Sequence, residues 1–251
     1  MMRKPIQPLD TIIDELDELG CKKMAIELEE QFNSPDFLTV DRIELIRRIV
    51  EPEYTDRINR RYATRLQLGH LRGCPEELGQ CVDNAERTYL PEGTIKHLST
   101  MQFIENGMNV CILGASNSGK TYLAKALGLQ ACNKYRVEYF CTEELVDTLM
   151  MLQKADKKKF TSRKKHLCSI DLLILDDFLL HSFSSEDEIK VIHEILNKRQ
   201  EVHKSTIVCS QRMPNDWKAQ VMDDVIAADA IMKRATKHYT VMISTNEAKE
   251  E

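Results

Sequence analysis

Apolar residues in the first part of the chain recur at helical spacing. Leu9, Ile12, Ile13, Leu16 and Leu19 line one face of a predicted helix that Gly20 ends. Met24, Ala25, Leu28 and Phe32 repeat the pattern, and Asn33-Ser34-Pro35 stops it. A third helix is expected from Val40, with Ile43, Ile46 and Val50 as its apolar face, broken or kinked at Pro52. A fourth carries a run of arginines as far as Gly73-Cys74-Pro75. Residues 75–100, with Pro75, Pro91 and Gly93, read as a linker with short helical pieces. These elements predict a small all-helical N-terminal domain over residues 1–90.

Further along, the period changes. Short apolar runs alternate with helical stretches, the signature of an α/β fold. Five strands are predicted at Asn109–Leu113, Val137–Cys141, Asp171–Asp176, Ser205–Ser210 and Tyr239–Ile243. Their continuous apolar character suits a parallel sheet buried on both faces. Helical material follows Gly119, and Thr142-Glu143-Glu144 opens a helix with acids in its first turn. One helix is expected between the second and third strands. Ser185-Glu186-Asp187-Glu188 reads as a capping box, and a late helix is expected over residues 227–237. Residues 91–251 are read as one domain, a parallel sheet covered by helices.

Composition narrows the class. No long uncharged apolar run is present, so no membrane span is expected. The N-terminal Met1-Met2-Arg3-Lys4-Pro5 lacks an apolar signal region, and a cytoplasmic location is expected. The eight cysteines form no C-x-x-C pair; Cys111, Cys141 and Cys209 read as small core residues in a reducing compartment. The net charge of −5 hides two basic blocks. Arg57, Arg60, Arg61, Arg65 and Arg72 fall in a stretch free of acids, and Arg57, Arg61 and Arg65 share a helical face. Lys154, Lys157, Lys158, Lys159, Arg163, Lys164 and Lys165 form the second block, interrupted by Asp156. The acids gather at Glu186–Glu188 and Asp223–Asp224. Such patches are candidate contacts to a polyanion, and solvated helix faces are the alternative.

Two strings carry chemistry. Gly114-Ala115-Ser116-Asn117-Ser118-Gly119-Lys120-Thr121 reads G-x-x-x-x-G-K-[ST] between a strand and a helix. The glycines let backbone N–H groups wrap phosphate oxygens, and the helix N-terminus adds positive potential. Lys120 is placed to reach the β- and γ-phosphates, and the Thr121 hydroxyl to ligate Mg²⁺. The run Asp171–Asp177 is an apolar strand ending in two carboxylates. Asp176 is expected to hold Mg²⁺ through water, and Asp177 to act as general base on the attacking water.

With these motifs placed, the chain resembles the AAA+ ATPases, and more narrowly the IstB/DnaC-like group. The resemblance spans nearly the whole chain. It rests on Arg57-x-x-Arg60-Arg61, Asn109-Val110, the P-loop, Leu172–Asp177, Ser210-Gln211, Trp217 and Asp229-Ala230-Ile231-Met232-Lys233-Arg234. It implies an AAA+ sheet with a reduced lid, ATP and Mg²⁺ as cofactors, and a homo-oligomer. It places Ser210 and Gln211 at the first sensor, with Gln211 preferred, and Arg234 at the arginine finger that reaches a neighbour's ATP. Trp217 is read as a packing residue. Three departures stand out: Leu179 where the family has Gly, no closing G-x-S near Ile243-Ser244-Thr245, and no candidate for a second sensor arginine.

The resemblance implies a DNA-dependent ATPase that assembles on duplex DNA and assists a cognate transposase. A helicase loader of the DnaC type is the alternative, sharing most motifs. A P-loop small-molecule kinase is more distant, with Lys154–Lys165 as its lid-like segment. GTP specificity lacks support, because Asn197-Lys198-Arg199-Gln200 fails N-K-x-D at its last position. ATP as an assembly switch with negligible turnover stays open.

Overall fold

The computed structural model describes residues 9–221 and 225–245. The Met1–Pro5 run and the Asp223–Asp224 pair lie outside the described residues. By internal contacts the chain divides into residues 1–64 and residues 65–251.

The first unit is helical. Helix α1 spans Leu9–Glu18 and α2 spans Lys22–Phe32, with Gly20 left-handed between them, as its φ of 72° requires. Helix α3 runs unbroken through Arg42–Leu68 with Pro52 inside it. The two helices expected either side of Pro52 are therefore one. Pro52 forfeits one ladder bond, and Glu53 beside it ties the helix down. The buried Glu53 carboxylate accepts from the Lys23 N–H at 2.9 Å and the Arg57 guanidinium at 2.7 Å. It thus supplies the N-terminus of α2 with an acceptor that Cys21, at the cap, does not provide. The face expected to be buried stays open: Ile43 is 69% exposed and Ile46 58%. Three helices alone enclose little, and Ala25 is the one fully buried apolar side chain described on them.

The second unit is built on a six-stranded sheet in the order β1-β6-β2-β5-β4-β3. Its strands are β1 (Arg87–Leu90), β2 (Val110–Gly114), β3 (Val137–Cys141), β4 (Leu172–Asp176), β5 (Ser205–Ser210) and β6 (Tyr239–Thr245). The five predicted strands pair in parallel. The sixth, β1, was read as linker; it closes the edge antiparallel to β6. Helices α4 (Thr94–Ser99) and α5 (Gln102–Glu105) connect it to β2.

Alternation across the strands divides the core. Cys111, Leu113, Leu173, Leu175 and Val208 face α7 (Thr142–Ala155), α9 (Glu186–Glu201) and α10 (Val225–Ala235). The opposite face is covered by α6 (Lys120–Ala131), where Gly128 lets the helix approach Ile174. Two helices, not one, join β3 to β4. Asp156 ends α7 and caps α8 (Lys157–Ser169), its carboxylate accepting from the N–H groups of Lys158 and Lys159. At α9 the Ser185 hydroxyl accepts from the Glu188 N–H, and the Glu188 carboxylate takes the Ser184 N–H in return. Arg199 on α9 is fully buried and donates to Thr206 and to the carbonyls of Leu167, Ile170 and Ser205. It locks α8, α9 and β5 together, and burial pushes its guanidinium down to about 9.

Candidate active site

The site lies at the carboxyl ends of the parallel strands, where α/β sheets bind ligands. Strand β2 ends at Gly114, and the chain turns through residues 115–119 into α6. A Cβ on Gly114 would stand 2.6 Å from the Ser118 hydroxyl and 2.7 Å from the Ile243 carbonyl, so the turn needs glycine. Asn117 takes a left-handed φ of 58°, which its short amide side chain tolerates. Gly119, also left-handed, caps α6 without a side-chain bond, which leaves the first N–H groups of the helix open to an anion. The Lys120 ammonium folds back to donate to the Ala115 carbonyl at 2.6 Å. Burial pushes its pKa down, against the attraction of Asp176 and Asp177. The Ser118 hydroxyl is buried with no hydrogen-bond partner. A loop that leaves a donor unused and bends its lysine onto its own backbone is shaped for phosphate.

Strand β4 is buried along its whole length and delivers the acid pair. Asp176 is held from two sides. Its Oδ2 accepts from the Tyr139 hydroxyl at 2.6 Å, and its Oδ1 from the Asp177 N–H at 3.0 Å. The Thr142 hydroxyl bonds the Asp176 carbonyl at 2.7 Å and fixes the backbone. Each carboxylate oxygen keeps a lone pair. These are hard oxygen donors, as is the Thr121 hydroxyl at the start of α6, and such donors fit Mg²⁺ chemistry. Asp177 is half-buried, with a left-handed φ of 48° that turns the chain sharply after β4. Leu179, where the resemblance implies glycine, also stands left-handed at 55°, and its buried side chain holds it there. Neither Tyr139 nor Thr142 was singled out from sequence.

Strand β5 lies between β2 and β4, so its end falls between the P-loop and the acid pair. Ser210 is buried, and its hydroxyl donates to the Phe178 carbonyl at 2.8 Å, which makes it a brace for the loop after β4. Gln211 is exposed, and its amide reaches Asp177 Oδ1 at 3.5 Å. Of the two expected sensor residues, Gln211 is the one aimed at the Asp177 carboxylate. Trp217 is fully buried edge-on to Phe178 and donates to the Arg212 carbonyl. It packs, as its sequence context predicts.

Arg234 lies elsewhere. Its carbonyl accepts from the Asn109 amide, at the opposite end of β2 from the P-loop. Its guanidinium donates to Asn197 Oδ1 at 2.6 Å and to the Ala230 carbonyl at 2.7 Å. Its guanidinium is thus engaged away from the P-loop of its own chain.

The basic residues divide into engaged and open charges. Arg57 pairs with Glu53, Arg60 with Asp56, and Lys164 with Glu194. Arg65 donates to the carbonyls of Cys132 and Asn133 and caps the end of α6. Lys159 leans on Asp156 at 3.8 Å. Arg61, Arg72, Lys157, Lys158 and Lys165 are exposed with no ion pair among the described residues. Lys157–Lys165 sits on a regular helix, and Lys154 on the one before it. No cluster of three metal-binding side chains occurs among the described residues, and none of their helices is long and apolar enough to cross a membrane.

A parallel sheet with a P-loop after its central strand and an acid pair one strand beyond β5 defines an ATP-binding AAA+ module. Comparison with known proteins narrows this. Residues 14–250 match the family described as IstB-like ATP binding protein, and the chain belongs to it. It is 28% identical over 224 residues to an insertion-sequence ATP-binding protein, y4pL, of Sinorhizobium fredii, covering 88% of each chain. It is 28% identical over 184 residues to the IS21 ATP-binding protein of Pseudomonas aeruginosa, covering 69% of this chain and 68% of that one. The crystal structure of the DnaC helicase loader superposes with a TM-score of 0.53 at 19% identity, over 68% of this chain and 98% of that one.

Proposed function

We propose that this chain is a Mg²⁺-dependent ATPase that assembles on duplex DNA and assists a transposase. One observation carries the hydrolytic part: Asp177 stands beside a firmly held Asp176, with the Gln211 amide on its carboxylate. In this reading the P-loop N–H groups and Lys120 grip the β- and γ-phosphates. Thr121 and Asp176 hold Mg²⁺, which supplies charge neutralisation at the phosphates when bound. Asp177 accepts the proton of the attacking water, and Gln211 orients that water. Arg234, remote from its own P-loop, acts on the nucleotide of a neighbouring copy after leaving Asn197. The relatives from insertion sequences, y4pL and the IS21 protein, support a transposase as the partner. Arg61, Arg72, Lys157, Lys158 and Lys165 are the first residues to test as phosphate contacts.

A second reading, a helicase loader, is favoured by one feature. Arg57, Arg60 and Arg65 are engaged within the chain, which weakens the case for a DNA ridge on α3. The fold likeness to the DnaC loader agrees with it.

The test of hydrolysis is Asp177→Asn, which keeps shape and removes the base. ATP binding is expected to survive while turnover falls about 10²–10⁴-fold, the span of general-base removal. Normal turnover in this variant would remove Asp177 from the mechanism.

A further inference from the structure

Strand β1 brings a cation to the P-loop from outside the motif. The register places it: Gly114 pairs with Ile243 of β6, and Ile243 pairs in turn with Tyr89. Since β1 runs antiparallel, Arg87 lies two residues farther on, opposite Thr245. That position is past the carboxyl end of β2, opposite the last residue of β6, on the side of the sheet where the phosphate loop begins. The side chain turns onto the loop itself. A Cβ on Gly119 would meet the Arg87 guanidinium carbon at 2.9 Å and Nη1 at 3.0 Å. The glycine before Lys120 therefore makes room for Arg87, besides supplying the left-handed cap of α6.

One donor of the guanidinium is unused there, although the Tyr89 hydroxyl is a hydrogen-bonding neighbour of the group. Its Nε is buried without a hydrogen-bond partner, and no ion pair among the described residues neutralises it. The groups beside it, the Tyr89 hydroxyl and the Cys81 thiol, are both pushed up by burial and carry no charge at neutral pH. A planar cation held against an anion-binding loop, with a buried donor unused, is matched to phosphate oxygens.

We propose that Arg87 is a second cationic ligand of the nucleotide's polyphosphate, acting alongside Lys120 across Gly119. This rests on the ATP-binding reading of the P-loop. It adds a residue that lies outside the G-x-x-x-x-G-K-T string and on an edge strand.

The experiment is equilibrium titration of the full chain with fluorescent ATP and ADP analogues, on wild type, Arg87→Met, Arg87→Lys and Lys120→Ala. Methionine keeps bulk against Gly119 and removes charge and donors. Arg87→Met is expected to weaken both analogues about 10- to 100-fold, the worth of a charge-assisted bond. Its melting temperature without nucleotide should match wild type, and Arg87→Lys should recover part of the affinity. Unlabelled tripolyphosphate should compete less well against the analogue on Arg87→Met than on wild type. If Arg87→Met binds like wild type while Lys120→Ala does not, the proposal is overturned and the P-loop reading stands. If the Met and Lys variants lose nucleotide-free melting temperature and affinity together, Arg87 is a packing residue and the proposal also falls. If Lys120→Ala binds like wild type, the P-loop reading fails first.

Discussion

Asp176 has its orientation set by a phenol one strand away. The Tyr139 side chain is half-buried, and that burial together with the bond to Asp176 keeps its hydroxyl protonated as a donor. Tyr139→Phe removes that donor and leaves the ring. Such outer partners are worth about 10–100-fold in metal affinity or activity. The Mg²⁺ concentration for half-maximal ATP hydrolysis should rise accordingly, with nucleotide affinity in the absence of metal unchanged. A drop in thermal stability with no change in Mg²⁺ requirement would make Tyr139 merely structural. Leu179 poses a conflict that magnitudes decide. Its left-handed backbone costs about 1–3 kcal/mol, which Leu179→Gly would relieve. Losing a fully buried leucine costs about 3–5 kcal/mol. The glycine variant should therefore unfold at lower denaturant, and a higher midpoint would show that strain outweighs packing. At this scale the P-loop and the acid pair were legible because each is a run of neighbours in sequence. Tyr139 was not, because it reaches Asp176 only through the register of β3 on β4, where Cys141 lies opposite Asp176.

Strands β2, β4 and β5, buried almost throughout, were readable as short apolar runs, and β3 and β6, only partly buried, were readable on the same pattern. Strand β1 is four residues long on an edge, and its partner β6 lies at the far end of the chain, so nothing local marks it. Pro52 misled for a related reason: a local breaker is tolerated where tertiary bonds hold the next turn, and Glu53 supplies them. Asp156, read only as an interruption of the lysine run, caps α8 and divides the segment into two helices. The role of Glu53 can be tested by pH. Its bond with Arg57 holds its carboxyl below the usual range. The stability it contributes is complete above the ordinary glutamate pKa and is lost as pH falls through the folded value. Glu53→Gln should lower the melting temperature at neutral pH, and the gap to wild type should close on acidification. A gap independent of pH would show that the charge of Glu53 is not what ties α3 to α2.

Over the whole molecule, the proposed function divides between an ATP site on the sheet and basic residues in both units. Their numbers alone overstate the basic patches, since Arg57, Arg60, Arg65 and Lys164 are committed to partners in the chain. Spacing alone puts Glu53 and Asp56 in reach of Arg57 and Arg60, but not the partners of Arg65 and Lys164, which are distant in sequence. The open charges are Arg61, Arg72, Lys157, Lys158 and Lys165. The central claim is that ATP turnover answers to DNA. The measurement is steady-state ATP hydrolysis by the full chain with and without unrelated duplex DNA, in wild type and with those five residues changed to alanine. Wild type should be stimulated by duplex regardless of its sequence, with stimulation falling as salt rises. The five-residue variant should keep its basal rate and lose the stimulation. A basal rate that DNA leaves unchanged in wild type, at low salt and saturating ATP, would contradict the account.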